Sequence, residues 1–373
     1  ENVGQWKRPW YYARSGETMH DAVNRECLAA RNGVCLVDQS TLGKIDIQGP
    51  DAAEFLNRVY TNNWGNLQVG RCRYGLMLGE DGMVMDDGVT ARLGKNHYLM
   101  HTTSGGAAHV MTWLERWLQT EWPELRVYLT SVTDHWANIG VVGPDSRKVI
   151  SKICDDIAFS HEAFPFMSVR EGSVAGVKAR VFRISFSGEL TYEVNVPASY
   201  GRSVWEALFE AGREYSISTY GTEALHILRA EKGYIIVGQE TDGSTTPGDL
   251  GMDWILGKQK DFLGKRSLSR PDCVRQDRKQ LVGLLTETPT DVLPEGGQIV
   301  ESPSTSVPVP MIGHVTSSYY SACLRRSIAL ALVKSGRSRM GQKVYVPLLD
   351  GRMVSAAVAS PVFYDPEGAR QNV

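Results

Sequence analysis

Tyr74-Gly75-Leu76-Met77-Leu78-Gly79-Glu80-Asp81-Gly82-Met83-Val84-Met85-Asp86-Asp87 is the stretch that decides how this chain is read. Arg73 to Leu78 reads as a strand, Glu80-Asp81-Gly82 as a turn, and Met83 to Arg92 as a second strand, so a hairpin is expected. The second strand carries two adjacent acids. Neighbouring strand residues point to opposite faces. One acid should therefore look into a core or cavity while the other looks towards solvent or a nearby loop. A carboxylate aimed into a cavity can accept hydrogen bonds from an amine and stabilise a developing cation.

A second acid stands out in Ser185-Phe186-Ser187-Gly188-Glu189-Leu190-Thr191-Tyr192-Glu193-Val194. Glu193 lies between Tyr192 and Val194 in an apolar strand, where an acid is rarely tolerated without a partner. Such a carboxylate either pairs with a buried structural group or bridges paired N–H donors of a flat heterocycle.

The surroundings are those of an α+β chain. Thr18 to Ala30 predicts a helix with Ala22, Val23, Leu28 and Ala29 inward, Arg25 and Glu26 outside, and a left-handed stop at Asn32-Gly33. Short strands are expected over 34–37 and 44–48, followed by a helix over 52–59. Ala107 to Gln119 reads as a helix with Val110, Met111, Leu114 and Leu118 inward. Strands follow over 137–142 and within 174–196, with helices over 203–212 and 222–232. Arg270 to Lys279 reads as a linker. Beyond it, short strands over 281–285, 313–317, 328–333 and 344–347, separated by Gly-, Pro- and Ser-rich turns, predict a small all-β unit. The division expected is 1–275 and 276–373.

Length and charge narrow the functions. A chain of 373 residues exceeds what one core usually organises. The 40 basic and 42 acidic residues nearly cancel, which disfavours a nucleic-acid binder. Six scattered cysteines read as reduced thiols of a cytoplasmic protein. No apolar run approaches the roughly 20 residues of a membrane span. A chain that opens at Glu1 reads as processed, trimmed or the tail of a longer polypeptide. G-x-G-x-x-G, Walker and G-x-S-x-G motifs are missing, so no dinucleotide or triphosphate site of its own is expected. Ser104-Gly105-Gly106 reads as a turn, with an anion seat at the following helix as the alternative. His97 and His101 share a strand face without a third ligand nearby, so no metal is expected.

Taken together, the motifs resemble the aminomethyltransferase family, the glycine-cleavage T-protein group, and within it the folate-binding part of heterotetrameric sarcosine oxidase alpha chains. The blocks that carry the resemblance run from Gly43-Lys44-Ile45-Asp46-Ile47-Gln48-Gly49-Pro50 through Asp81-Gly82 to Asp86-Asp87 and Ser187-Gly188-Glu189 to Tyr192-Glu193. They continue with Leu228-Arg229-Ala230-Glu231-Lys232-Gly233, Asp261-Phe262-Leu263-Gly264-Lys265 and Gly313-His314-Val315-Thr316-Ser317. No block is diagnostic alone; their common order is specific.

The resemblance implies three domains: two intertwined α+β domains and a small C-terminal β-barrel-like one, around an opening that receives tetrahydrofolate. It implies Asp87 as the catalytic acid near the folate nitrogens, and Tyr74, Asp87, Phe186, Glu193 and Arg229 as folate-binding residues. It further implies transfer of the one-carbon unit of oxidised sarcosine to tetrahydrofolate, giving 5,10-methylenetetrahydrofolate and glycine. FAD, FMN and NAD would belong only to the wider complex, in flavin-containing partner subunits or an upstream dinucleotide-binding part of the same polypeptide. Two departures are visible. The arginine of the family's Ala-Arg-Asp block is Leu225, and the tyrosine before its Thr-Gly-Glu is Phe186. A stand-alone tetrahydrofolate-dependent aminomethyl or methyl transferase and a non-catalytic assembly module are the alternatives.

Overall fold

A computed structural model describes residues 1–303 and 308–373. The strands in chain order are β1 (Asn2–Val3), β2 (Trp6–Lys7), β3 (Cys35–Asp38), β4 (Gly43–Gln48), β5 (Cys72–Leu78), β6 (Val84–Gly94), β7 (His97–Thr102), β8 (Tyr128–Ser131) and β9 (Trp136–Val142). They continue with β10 (Ser168–Val174), β11 (Val177–Arg183), β12 (Thr191–Pro197), β13 (Ser218–Thr219), β14 (Lys279–Thr286), β15 (Gln298–Val300), β16 (Met311–Ser321), β17 (Arg326–Lys334), β18 (Lys343–Pro347) and β19 (Met353–Ala359). The helices are α1 (Met19–Asn32), α2 (Ala52–Val59), α3 (Ala107–Thr120), α4 (Ser146–Ile150), α5 (Gly201–Ala211) and α6 (Thr222–Glu231).

Three sheets organise the molecule. One has five strands in the order β5-β6-β7-β4-β8, one has six in the order β10-β11-β12-β9-β3-β13, and β14 to β19 close into a barrel. Strand alternation gives each open sheet two faces with separate jobs. The outer face of the five-stranded sheet packs Ile45, Ile47, Met77 and Met100 against Phe55 and Leu56 of α2 and Val110 and Leu114 of α3. The outer face of the six-stranded sheet packs Val141, Tyr192 and Val194 against Val149 of α4 and Val204 and Leu208 of α5. The inner faces meet each other through Cys72, Ala91, Leu99, Val169, Phe182 and Ile184. Each such side chain withdrawn from water contributes on the order of 1.5–3 kcal/mol. The barrel is filled by Val282, Leu284, Val315, Ala331, Val344 and Val358.

α1 and α6 lie where the three units meet. Thr18 and Asp21 form a reciprocal cap at the start of α1, which satisfies amides that a helix terminus otherwise leaves open. The inward face differs from the one expected: Ala22, Val23, Cys27 and Ala30 are buried, while Leu28 is exposed. Glu26 is also buried, because its carboxylate accepts from Tyr12 N and from Gly221 N at the start of α6. The helix ends at Gly33, but with φ −145° and not in the left-handed region.

Arg31, at the end of α1, bonds Glu189 and Glu231, and Arg370 closes on Glu189 from the opposite side. The turn carrying Glu189 depends on Gly188, whose φ of +81° and contact with the Lys232 side chain leave no room for a Cβ. The barrel contains two strands not expected from the sequence, β15 and β19. β15 is only three residues long, and β19 is a mild Val/Ala alternation over Met353–Ala359.

Candidate functional site between the two sheets

Register, not proximity in sequence, brings the acids together. Asp87 pairs with Leu76, Val89 with Tyr74 and Ala91 with Cys72 across the β5–β6 ladder, so all six side chains share the inner face of the five-stranded sheet. Asp86 pairs with Met77 and therefore belongs to the outer face. On the six-stranded sheet one cross-strand row reads Val169, Phe182, Glu193, Gly140 and Val37. Phe182 contributes to the contact between sheets. Glu193 thus looks towards the five-stranded sheet from a strand whose other face, Tyr192 and Val194, is apolar core.

Gly140 is the register partner of Glu193, and a Cβ there would come within 2.7 Å of Val37 and 2.8 Å of Gln39 Oε1. The bare backbone lets the Gln39 side chain lie over the strand beside the carboxylate. Glu193 Oε2 accepts from Asn138 Nδ2 at 2.8 Å. Burial raises the Glu193 carboxyl, and Asn138 and the Lys44 charge oppose that rise. Lys44, fully buried on β4, is lowered to about 8 by the same loss of water.

Asp87 Oδ2 accepts from Tyr74 Oη at 2.7 Å. Burial raises Asp87 to about 6, and the Tyr74 hydrogen bond limits the rise. A carboxyl group so placed is mainly ionised at pH 7 yet can carry a proton slightly below it, the range that suits acid–base work. Asp86 differs. Its Oδ2 lies 3.4 Å from Thr103 N, at the turn Ser104–Gly106 that leads into α3, and its Oδ1 is buried without a partner. Burial first, then the Asp87 charge, push it up to about 8. The Asp86 carboxyl group meets the segment leading into α3 through Thr103 N, the residue before the turn.

Phe186 is half-buried against the central core, its ring stacked on Tyr234 with centroids 6.2 Å apart. Arg229 stands elsewhere. Its guanidinium is fully buried and bonds Glu240 at 2.8 Å, Tyr234 O, Gln239 Oε1 and Ser317 Oγ. The structure thus commits Arg229 to joining α6 to the barrel, not to the inter-sheet space. Leu225 packs into the central core beside α1. Gln39, Lys44 and Asn138 were not singled out in the sequence. Their signal was the polar run Lys44, Asp46, Gln48 on one strand face and an Asn inside the apolar strand Trp136–Val142.

Two surface cavities lie apart from these acids. One of about 510 Å³ is lined by Arg58, Trp117, Trp122, Lys260 and Phe262 among others. The other, of about 340 Å³, is lined by Asp46, Val132, His135, Trp136, Arg180 and Pro197. No group of three or more His, Cys, Asp or Glu is arranged to hold a metal among the described residues.

Comparison with known proteins fits this geometry into a family. The family described as "GCVT N-terminal domain" matches residues 1–260, and "Glycine cleavage T-protein C-terminal barrel domain" matches residues 279–365. The chain is 53% identical to the sarcosine oxidase subunit alpha of Corynebacterium sp. (strain U-96), over 100% of this chain and 39% of that protein. It therefore spans about two fifths of the length of that relative. It is 30% identical to the aminomethyltransferase of Chloroherpeton thalassium, over 92% of this chain and 91% of that protein. The crystal structure of the glycine cleavage system aminomethyltransferase T from Bartonella henselae shares the fold, with a TM-score of 0.82 at 22% identity over 97% of this chain and 92% of that one. The α+β architecture with its closed barrel, the ordered motifs and these matches agree: the chain belongs to the glycine cleavage T-protein family of aminomethyltransferases.

Proposed function

We propose that this chain binds tetrahydrofolate at the inner sheet faces and passes a one-carbon unit to it, as the folate part of a sarcosine oxidase-type assembly. The observation that carries the reading is the placement of Asp87 and Glu193 on the inner faces of the two facing sheets within the family's fold. Bound tetrahydrofolate would supply the nitrogens that take up the one-carbon unit. The residues suit such a group. Glu193 accepts from Asn138 at one oxygen and has Gln39 beside the carboxylate, and its remaining lone pairs can accept from ring N–H donors. Asp87 has Oδ2 fixed by Tyr74 and Oδ1 without a bond from any other described residue.

Each residue then has a role. Glu193 would orient a flat, donor-edged heterocycle by charge-assisted hydrogen bonds. Asp87 would stabilise positive charge developing beside it and hold or release a proton at Oδ1. Tyr74 would keep that carboxyl group in one rotamer, and Phe186 would offer an aromatic face. The folate-binding region is placed at 1–275 and the barrel-bearing part at 276–373.

The likeness to sarcosine oxidase alpha chains favours a flavin-bearing partner or upstream segment that oxidises the amine. The matching experiment measures both halves on the purified chain: tetrahydrofolate binding, and oxygen consumption with sarcosine. Binding without oxygen consumption is expected; flavin-free protein that consumes oxygen with sarcosine would refute the division of labour.

A further inference from the structure

The space between the sheets also holds a polar layer that extends past Glu193. Asn195 shares the inner face of β12 with Glu193, and Asn138 and Arg180 are its register partners on either side. Facing it, Lys44 and Asp46 of β4 pair with His101 and Leu99 of β7. His101 packs edge-on against Phe182, with centroids 5.2 Å apart, which places it in the layer. Gln39, Lys44, His101, Asn138, Glu193 and Asn195 are each no more than 5% exposed.

Within this layer several buried polar atoms go unmet among the described residues. Among the described residues, both carboxamide atoms of Asn195, Oδ1 of Asn138, Oε1 of Gln39 and Nε2 of His101 find no partner. Turning the amides over does not help. Asn195 lacks partners at both ends, and turning Asn138 would aim its oxygen at the Glu193 carboxylate it now donates to. His101 Nδ1 faces Val89 O at 3.0 Å, so Nδ1 carries the proton and Nε2 is left as an acceptor. The donors at hand are the Asn195 NH₂, the Gln39 NH₂ beside Glu193, and one remaining proton of Lys44, whose Nζ already donates to Ser40 O and Leu42 O. Native interiors seldom leave such groups unmet. A small molecule that both donates and accepts meets all of them, and water is that molecule.

The layer also has an outlet. Along β4 burial falls from Lys44 to Asp46 to Gln48, and on the facing sheet it falls from Asn138 and Asn195 to Trp136 and Pro197. Of these outer residues, Asp46, Trp136 and Pro197 line the cavity of about 340 Å³. Arg180 of β11 lies 4.6 Å from the ring centroid of Trp136 on β9, so the pair meets across β12 at the mouth. Pro197 lies four strand steps beyond Glu193, about 13 Å at strand rise.

We propose that this seam is a water-binding passage, running from Glu193 past Asn138 and Asn195 to the Asp46/His135/Trp136/Arg180 cavity. Through it water and protons reach the buried carboxylate without passing Tyr74 and Asp87. The Arg180–Trp136 stack is its gate. The passage concerns water alone and stands or falls independently of folate binding.

Two measurements on the full chain test it. A crystal structure at about 1.2 Å should show ordered waters bonded to Asn195 Nδ2 and Oδ1, Gln39 Oε1 and His101 Nε2. Side chains repacked onto one another with no water between them would overturn the proposal. Hydrogen–deuterium exchange of the Asn138 carboxamide, followed by NMR, reads the path itself. Asn195→Leu should slow that exchange about tenfold or more, and Trp136→Ala, at the surface, should speed it severalfold. Should Asn195→Leu fail to fold, the Trp136→Ala arm decides alone. Exchange unchanged by opening the gate would overturn the passage.

Discussion

Replacing Asp87 by Asn separates binding from chemistry. The carboxyl group is held at about 6 by burial and by the Tyr74 hydroxyl. At pH 7 roughly nine tenths of it is ionised, and at pH 5 roughly one tenth, by simple titration about that value. If the carboxylate is the acting form, one-carbon transfer in the wild type should rise about tenfold per pH unit below 6 and level off above it. Asn keeps the size of the side chain and can still accept from Tyr74, but it has neither charge nor a titrating proton. The loss should therefore fall on the chemical step, by roughly 10²- to 10⁴-fold, the usual worth of a positioned acid–base group. Folate affinity should weaken by about 10- to 150-fold at most, since one hydrogen bond to a charged group is worth about 1.5–3 kcal/mol. The assay reconstitutes the chain with flavin-bearing sarcosine oxidase partners at saturating tetrahydrofolate. It then compares formaldehyde with 5,10-methylenetetrahydrofolate formed per sarcosine oxidised. Formaldehyde should replace the folate product while flavin reduction is unchanged. A normal folate yield, or a wild-type profile with no inflection near pH 6, would refute the reasoning.

The neighbouring acid should behave differently. Asp86 is raised to about 8 in the fold, so wild-type stability from this group is fully present below the unfolded value near 4 and is lost as pH rises through 8. Asp86→Asn should therefore stabilise the protein increasingly between pH 5 and pH 9, up to a ceiling of roughly 5 kcal/mol at about 1.4 kcal/mol per unit. Urea unfolding across that range checks it, and a variant no more stable at pH 9 than at pH 5 would contradict it. Arg229→Met strands the fully buried Glu240 and should cost about 3–5 kcal/mol. Arg229→Met/Glu240→Gln should recover part of that loss in the same unfolding assay; equal stability of wild type and single variant would show the pair to be inert.

Local signals carried much of this fold. The hairpin of β5 and β6 was legible because a tight acidic turn separates two strand-like runs, and α2 because a turn and an apolar stripe bracket it. The opposite facing of Asp86 and Asp87 followed from strand alternation alone, and the register bears it out. Glu26 was misread as a solvent-facing acid because its partners, Tyr12 N and Gly221 N, are backbone amides that no side-chain pattern announces. Leu28 looked inward by hydrophobicity, yet α1 turns its Cys27 and Ala30 edge to the core, a choice made by α6 and not by α1. Arg229 sits in a family block, but whether its guanidinium meets a ligand or Glu240 depends on a loop eleven residues away and a barrel strand nearly ninety away. The Gln39–Asn138–Asn195 layer was hidden for a like reason. Polar residues on one strand face ordinarily meet solvent, and only the packing of the second sheet buries them.

The central claim is that the inter-sheet space is a folate site read by Glu193, and isothermal titration of the purified chain with tetrahydrofolate tests it most directly. Saturable one-to-one binding is expected in the wild type and in Asp87→Asn. In Glu193→Gln one acceptor oxygen becomes a donor facing the ligand's N–H edge, so binding should weaken by roughly 2–4 kcal/mol, about 30- to 1,000-fold. Absence of wild-type binding, or equal affinity in wild type and a folded Glu193→Gln, would contradict it.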